Sequence, residues 1–468
     1  MQPTTRTKPK ILFAGTTTGQ DFNALKSVAE VSVKQGTDDL GIAEVLWIDC
    51  ATTKPDQYAP LLRQALDSGK LLVLRHPDGP ARKALADICG CEVQDGASVL
   101  MVTRDLKATT PSSYAVTALD DTTPVTTTDE QVLSGGEAEA VPPTSPTARP
   151  SLAVLERQGE PRDWAATLEA HRERSARSVG GPGLIPPQGV MYGIRTLTGS
   201  YSARVTNDSW KATQGKSQDV EFGFTSSFYV YRENGKSNAD YVVIRVQQAT
   251  CSPRTLMVRE DNAKGYYQYQ FQAQCTNNRG APLLGTSPET TNNVNPITQI
   301  SIPLHVKYLQ DGSCMANYWS AAHGPVARTQ EGWGLSNRSA TSSGTAVWLS
   351  FHRDPWNSLN DPPNEFSRWW SNMFEGGYGG RVKTLNTLAS SSFTVENVAA
   401  WRFSASMIAT NRNVLFQEIL NYRVTAFANP KGTNNGHHQI SAGGWVTNPK
   451  SITLDVVAVA EDVNSPCK

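Results

Sequence analysis

Gln299-Ile-Ser-Ile-Pro-Leu-His-Val-Lys-Tyr308 alternates residue by residue: Ile300, Ile302, Leu304, Val306 and Tyr308 share one parity, and Ser301, Pro303, His305 and Lys307 the other. Successive side chains of a strand point to opposite sides of its sheet, so a period of two marks a strand with one apolar face. The same period recurs on both sides of this run. Val220, Phe222 and Phe224 alternate with Glu221, Gly223 and Thr225, and Val242, Ile244 and Val246 with Val243, Arg245 and Gln247. Trp401, Phe403, Ala405 and Met407 alternate with Arg402, Ser404 and Ser406, while Ile452, Leu454 and Val456 flank Thr453 and Asp455. Residues 190–462 therefore read as a large all-β domain of half-buried antiparallel strands, a sandwich or barrel-like architecture with no internal repeat of fixed period.

Residues 9–107 follow a different rule. Apolar runs at Lys10–Gly15, Ala43–Cys50, Lys70–Arg75 and Ala97–Thr103 are separated by helical patterns. In Phe22–Lys34 the residues Phe22, Leu25, Val28 and Val31 fall on one face. Tyr58–Ser68 does the same with Leu61, Leu62, Ala65 and Leu66, and Gly79–Cys89 is also helical. Strands alternating with helices predict βαβ units and a small parallel α/β domain. Between the two domains, residues 108–189 are dominated by Thr, Pro, Ser, Gly and Glu, as in Thr122–Asp129 and Ser134–Pro150. Such composition buries too little apolar surface to offset chain entropy, so a disordered linker is expected. A short helix over 161–178 interrupts it, with Trp164, Leu168 and His171 on one stripe. It docks, or it exposes the basic residues Arg172, Arg174 and Arg177 to proteases, as flexible polar segments commonly do.

Charge and composition remove some classes of function. The 468 residues carry 43 basic and 43 acidic side chains, a formal net charge of zero, which argues against bulk attraction to nucleic acid. No stretch approaches the roughly 18 apolar residues of a membrane-spanning helix. Met1–Lys10 is polar and basic, and the apolar run Ile11–Ala14 is too short for a signal-peptide core, so it reads as a strand. Release by another route and a cytoplasmic location both stay open. Seven cysteines, an odd number at low density, read mainly as reduced core residues. Cys89-Gly-Cys91 is too tight for a zinc pair, and a Cys251–Cys275 bridge is open if the chain is exported.

Catalytic chemistry finds little support. Gly15-Thr-Thr-Thr-Gly-Gln-Asp21 stands between the first strand and the first helix, where a phosphate-cradling loop belongs, and it looks like the flavodoxin phosphate loop. Asp21, however, would repel phosphate and reads better as a helix N-cap. His437-His438 could ligate metal, but it lies in a polar loop with no third ligand at a suitable spacing. No G-x-S-x-G, H-E-x-x-H, Walker loop or paired carboxylate motif occurs. The expectation is a non-enzyme without cofactor or metal; a flavin enzyme in the α/β domain is the minority reading.

The aromatic residues carry more information. Nine of the eleven tryptophans lie beyond Ser209. The segment DPWNSLNDPPNEFSRWWSNMFEGGYGGR, Asp354–Arg381, gathers Trp356, Phe366, Trp369, Trp370, Phe374 and Tyr378, while Asp354, Pro355, Asp361, Pro362 and Pro363 deny it regular strand structure. An aromatic loop of this kind covers its own small core, or forms an amphipathic rim that meets lipid headgroups or stacks on sugars, with Arg368 as a phosphate donor.

The layout resembles the leukocidin/haemolysin class of β-barrel pore-forming toxins, and within it the Vibrio cholerae type of cytolysin. SGKLLVLRHPDGPARKALADICGCEVQDGASVLMVTRD (Ser68–Asp105) is similar to the final strand–helix–strand unit of that family's pro-domain. ERSARSVGGPGLIPPQGVMYGIRTLTG (Glu173–Gly199) is similar to its activation linker, and SSFYVYRENGKSNADYVVIRVQQ (Ser226–Gln248) to the next strand pair. The resemblance implies a secreted cytolysin that is cleaved at the linker by an activating protease, docks on target-cell lipid or glycan and assembles as a homo-oligomer. Trp356, Phe366, Arg368, Trp369, Trp370, Phe374 and Tyr378 would bind membrane. Ile300, Ile302, Leu304, Val306 and Tyr308 would line one strand of the inserted stem, with the return strand inside Ser336–Phe351. Thr298–Leu309 is long enough for a membrane strand of roughly 9–11 residues, although Pro303 removes a ladder donor. The other reading is a non-lytic, lectin-like or structural β-sandwich.

Overall fold

The computed structural model describes residues 8–34, 40–54, 57–93, 97–105, 113–119, 131–134, 153–156, 164–165, 167–169, 171, 192–206, 217–233, 240–253, 265–290, 299–307, 315–322, 333–352, 393–428 and 439–461. The first of these form the α/β unit. Strands β1 (Lys10–Ala14), β2 (Glu30–Val33), β3 (Val45–Asp49) and β4 (Leu71–Arg75) run parallel in the order β2-β1-β3-β4, with helix α1 (Gln20–Val28) between β1 and β2, α2 (Tyr58–Asp67) between β3 and β4, and α3 (Gly79–Cys89) after β4. Helices on both faces bury both parities of β1, β3 and β4, while the edge strand β2 keeps Glu30 and Ser32 exposed. Leu12, Leu46, Ile48, Leu72 and Leu74 meet α2 and α3 through Tyr58, Leu62, Leu66 and Leu85. Ile11, Phe13, Val45, Trp47 and Val73 meet α1 through Phe22 and Leu25. α1 is shorter than the helical spacing predicts. Glu-Val-Ser-Val at 30–33 pairs with β1 as a strand, since alternating β-branched residues pack better on a sheet than in a helix. α3 starts where Asp78 Oδ1 accepts the Ala81 backbone N–H at 2.8 Å and stops at Gly90, whose φ of 65° is the left-handed conformation glycine adopts without strain.

The β-rich part consists of two large antiparallel sheets. In the first, β10 (Tyr192–Thr206), β11 (Ser217–Arg232), β12 (Tyr241–Pro253), β19 (Phe393–Phe403) and β14 (Leu283–Ser287) lie side by side in that order. In the second the order is β17 (Trp333–Asn337), β18 (Ala346–His352), β13 (Gly265–Asn277), β20 (Asn413–Ala428) and β21 (Gln439–Asp455). Aromatic rings from both fill the space between them. Phe222 stacks on Tyr422 at 5.7 Å, and Phe416 receives Phe228 at 5.1 Å and Trp401 at 5.3 Å. Two runs that alternate in sequence turn helical at their ends. After Phe403, the Ser404 side chain accepts the Met407 N–H at 3.3 Å and starts α4 (Ala405–Thr410), and α5 (Val456–Glu461) follows β21 directly.

The two parts share one sheet. β6 (Val99–Asp105) runs antiparallel to β4, and β7 (Ser113–Leu119) antiparallel to β6; β7 then pairs in parallel with β10, Ser113–Ala118 against Ile194–Gly199. The result is a twelve-stranded sheet that begins in the α/β unit and ends at β14. β7 arises from inside 108–189, where Tyr114, Ala115, Val116, Thr117, Ala118 and Leu119 are all buried. In the second sheet, β5 (Cys91–Val93), which directly follows α3, pairs antiparallel with Ile452–Leu454 of β21. Two short strands continue the pattern: β9 (Ala153–Glu156) pairs with β10, and β8 (Gln131–Ser134) with β21. The hairpin β15 (Gln299–Lys307) and β16 (Met315–Ala322) stands outside both large sheets as a two-stranded sheet.

Candidate functional site

The hairpin contains the alternating run with which the sequence was read. Its return strand is Met315–Ala322; the segment 336–351, expected to supply it, forms β17 and β18 in the second large sheet. Ile300 stands opposite Ala321 and Ile302 opposite Trp319, while Gln299, Ser301 and Pro303 stand opposite Ala322, Ser320 and Tyr318. Between Pro303 and Val306 the register shifts by one residue, so Val306 meets Ala316 and Lys307 meets Met315. One extra residue in a strand is a β-bulge, and it transfers the following positions to the other row of the ladder. The single row Ile300, Ile302, Leu304, Val306 expected from sequence is therefore divided: position 306 joins the row of 301 and 303. Pro303, which lacks a donor, sits at the edge of the shift, where a missing ladder bond is tolerated best. Tyr308 lies outside the described residues, as do Trp356, Phe366, Arg368, Trp369, Trp370, Phe374 and Tyr378, the basic residues Arg172, Arg174 and Arg177, and His437 and His438.

Upstream of those basic residues, Trp164, Leu168 and His171 are buried on the α/β unit. The Trp164 ring meets Trp47 edge-on at 4.6 Å, and Leu168 joins the same apolar cluster. His171 lies between two strands, its Nδ1 at 2.6 Å from the Thr117 hydroxyl and its Nε2 at 3.3 Å from that of Thr103. The stripe seen in sequence thus packs Trp164, Leu168 and His171 on the face of the sheet that α1 also covers.

The β12 parity that carries Arg245 and Gln247 faces inward, between the two sheets. Arg245 donates from Nε and Nη2 to the two Glu418 carboxylate oxygens, both at 2.6 Å, and from Nη1 to Asn397 Oδ1. Asn397 Nδ2 donates to Gln247 Oε1 at 3.1 Å, and Gln247 Nε2 returns to Glu418 Oε2 at 3.0 Å. The ring of donors and acceptors is closed and fully buried, with the Trp348 ring 5.7 Å from the guanidinium. Burial alone would push Arg245 down, but the Glu418 charge and hydrogen bonds outweigh it and hold the guanidinium above its usual range. Burial and the Glu418 charge push the nearby Cys275 thiol well up against the opposing pull of Arg245, so it stays protonated and is no nucleophile. This network joins β12 and β19 of one sheet to β20 of the other, a structural role. Sequence reading assigned the Arg245 face to the polar side. The signal it left was Glu418, a carboxylate at the parity of the apolar Val414, Phe416, Leu420 and Tyr422.

The loop at Gly15–Gly19 does not show the cap expected of Asp21. Gly19 is the N-cap residue of α1 with no side-chain cap bond, and Asp21 pairs instead with Arg75 Nε at 2.7 Å across the ends of the parallel strands. Cys251 and Cys275 lie on different sheets as buried thiols with no disulfide between them, and Cys50, Cys89 and Cys91 are likewise buried and outside any disulfide. Among the described residues, no group of three His, Cys, Asp or Glu side chains is arranged to hold a metal ion, and no helix is long and apolar enough to cross a membrane.

These features define a chain of mixed class, a parallel α/β unit joined to a large antiparallel two-sheet β structure. Neither a protein-family model nor a curated protein sequence matches it. Among solved structures it is similar to Clostridium perfringens delta-toxin, with 13% identity and a TM-score of 0.35 over 59% of this chain and 97% of that one. It is also similar to the Clostridium perfringens NetB toxin in its membrane-inserted form, with 6% identity and a TM-score of 0.28 over 54% of this chain and 94% of that one.

Proposed function

We propose that this chain is a pore-forming, membrane-damaging protein of the leukocidin/haemolysin type, organised like the Vibrio cholerae cytolysins. The observation that carries the reading is the β15–β16 hairpin, which, among the described residues, is hydrogen-bonded to neither large sheet. A nine-residue strand extends about 30 Å at ~3.3 Å per residue, the scale of a bilayer's hydrocarbon core. Only closed barrels satisfy strand backbones in lipid, so hairpins from several copies must join. In this reading the α/β unit holds the soluble form, cleavage among Arg172, Arg174 and Arg177 activates it, and the aromatic residues between Trp356 and Tyr378 dock on lipid headgroups or glycans of the target cell.

Liposomes loaded with a self-quenched dye test this reading. Protein nicked by trypsin in 172–177 releases the dye, and un-nicked protein releases far less. Glycan-array binding without any dye release would instead favour the lectin-like reading, and absence of both would discard the membrane role.

A further inference from the structure

The α1 side of the α/β core is completed from far along the chain. Phe13, Phe22, Leu25 and Trp47 share one apolar cluster with Trp164 and Leu168, which come well after β7 in sequence. Trp164 and Leu168 are each 3% exposed and His171 is 1% exposed. Their spacing places them on one helical face, and the described residues of this segment are helical. His171 ends it with its ring between the Thr117 hydroxyl of β7 and the Thr103 hydroxyl of β6.

An attachment of this size is reversible. A helix this short lies below the roughly 12–15 residues at which an isolated helix becomes more than marginal in water, so docking is what keeps its form. Its buried side chains, among the described residues, are Trp164, Leu168 and His171. Trp164 meets Trp47 edge-on, and among the described residues no acceptor reaches Trp47 Nε1. A buried donor without an acceptor is costly, so lifting that admits water to this indole recovers a hydrogen bond. Segments held by few buried contacts open at a free energy well below that of global unfolding. A protease takes its substrate as an extended strand, so a docked helix is cut only from its open state.

We propose that the segment anchored at Trp164, Leu168 and His171 is a strap that fixes the upstream limit of protease access. Docked, it closes the bonds between Trp164 and His171, so that chain past His171 is cut first and the strap stays whole on the amino-terminal fragment. A cut inside the strap would part its anchors and loosen the cover on Phe13, Phe22 and Trp47. This limit holds whether or not the β-rich part forms pores.

Limited digestion of the full chain with a glutamate-specific protease tests the strap, with the fragments identified by mass. Glu169 lies between the anchors and Glu173 just past them. In the wild type the Glu173 bond is cut faster than the Glu169 bond by about tenfold or more, after division by the same ratio in a free peptide of residues 160–178, because cutting of a docked segment scales with the fraction that is open. Thr117→Val deletes the hydroxyl 2.6 Å from His171 and keeps a residue that favours strands, and Leu168→Ala removes the middle anchor. Either variant raises cutting at Glu169 by about tenfold and leaves cutting at Glu173 within about twofold of wild type. A wild-type ratio equal to that of the free peptide overturns the strap, and this comparison needs no variant to fold. A Thr117→Val chain with wild-type circular dichroism and no faster cutting at Glu169 overturns the anchoring role of His171. Dye release is a separate readout, so a chain that releases none and still protects Glu169 loses the pore-forming reading and keeps the strap.

Discussion

Arg245 and Glu418 form an ion pair with no exposure to solvent, and both carboxylate oxygens and the adjoining amides are engaged. Breaking a buried pair by removing one partner leaves an uncompensated charge and typically costs about 3–5 kcal/mol, whereas replacing both partners with apolar groups is often neutral. Arg245→Met is therefore expected to lower unfolding free energy by about 3–5 kcal/mol in urea, and the double variant Arg245→Met, Glu418→Leu to recover most of it. A loss below about 1 kcal/mol for the single variant would mean that Glu418 finds another partner. Cys91 offers a second test at this scale. Burial raises its thiol from 9.0 to about 11, against a lowering by Arg195. The folded state keeps the proton that the unfolded chain releases, so stability is complete below about pH 9 and falls as pH rises towards about 11. Between pH 8 and 10.5 the wild type is expected to lose about 2 kcal/mol more than Cys91→Ala, read from denaturant midpoints.

At the scale of elements, the period of two located the strands better than it located their inward faces. Val242 and Ile244 are buried as their alternation implies, in a cluster with Tyr192, Tyr229 and Val398, but the other parity, Val243, Arg245 and Gln247, is buried as well, between the two sheets, because a closed polar network lets a sheet face bury charge. Helix starts were hidden in the same way: Ser404 turns an alternating run into α4 by a cap that periodicity does not weigh. β7 was masked by its Thr- and Ser-rich surroundings, although Tyr-Ala-Val-Thr-Ala-Leu at 114–119 packs on both sides. The hairpin was half legible. β15 was read from its alternation, whereas the Ala- and Ser-rich β16 gave no such signal, and the bulge after Pro303 depends on pairing that a single strand does not reveal. Ile302 lies before that bulge, opposite Trp319. A Lys or Arg on the lipid face of a barrel strand costs roughly 2–4 kcal/mol at the bilayer midplane. Ile302→Lys is expected to cut dye release at least tenfold while leaving the thermal midpoint of the soluble protein within about 2 °C; unchanged release would place this strand outside the membrane.

For the whole molecule, the sequence conveyed the order of parts: α/β first, β-rich second, with a Thr- and Pro-rich stretch between. It did not convey that the two parts share hydrogen-bonded sheets, because pairing β7 with β10 and β5 with β21 joins residues far apart in the chain, and nothing local records it. The consequence is functional. A domain tethered only by a linker would separate once the linker was cut, whereas here the amino-terminal fragment is held by four ladders and a common core that includes Tyr114, Val116, Leu197 and Leu454. A cut in 172–177 is thus expected to leave the two fragments co-eluting on size exclusion, and fragments that separate at once would contradict it. Current recorded across a planar lipid bilayer tests the membrane role most directly. Nicked protein added to one side should produce discrete, uniform conductance steps, each from one closed barrel. A flat baseline, or irregular leakage without a unit step, would contradict it.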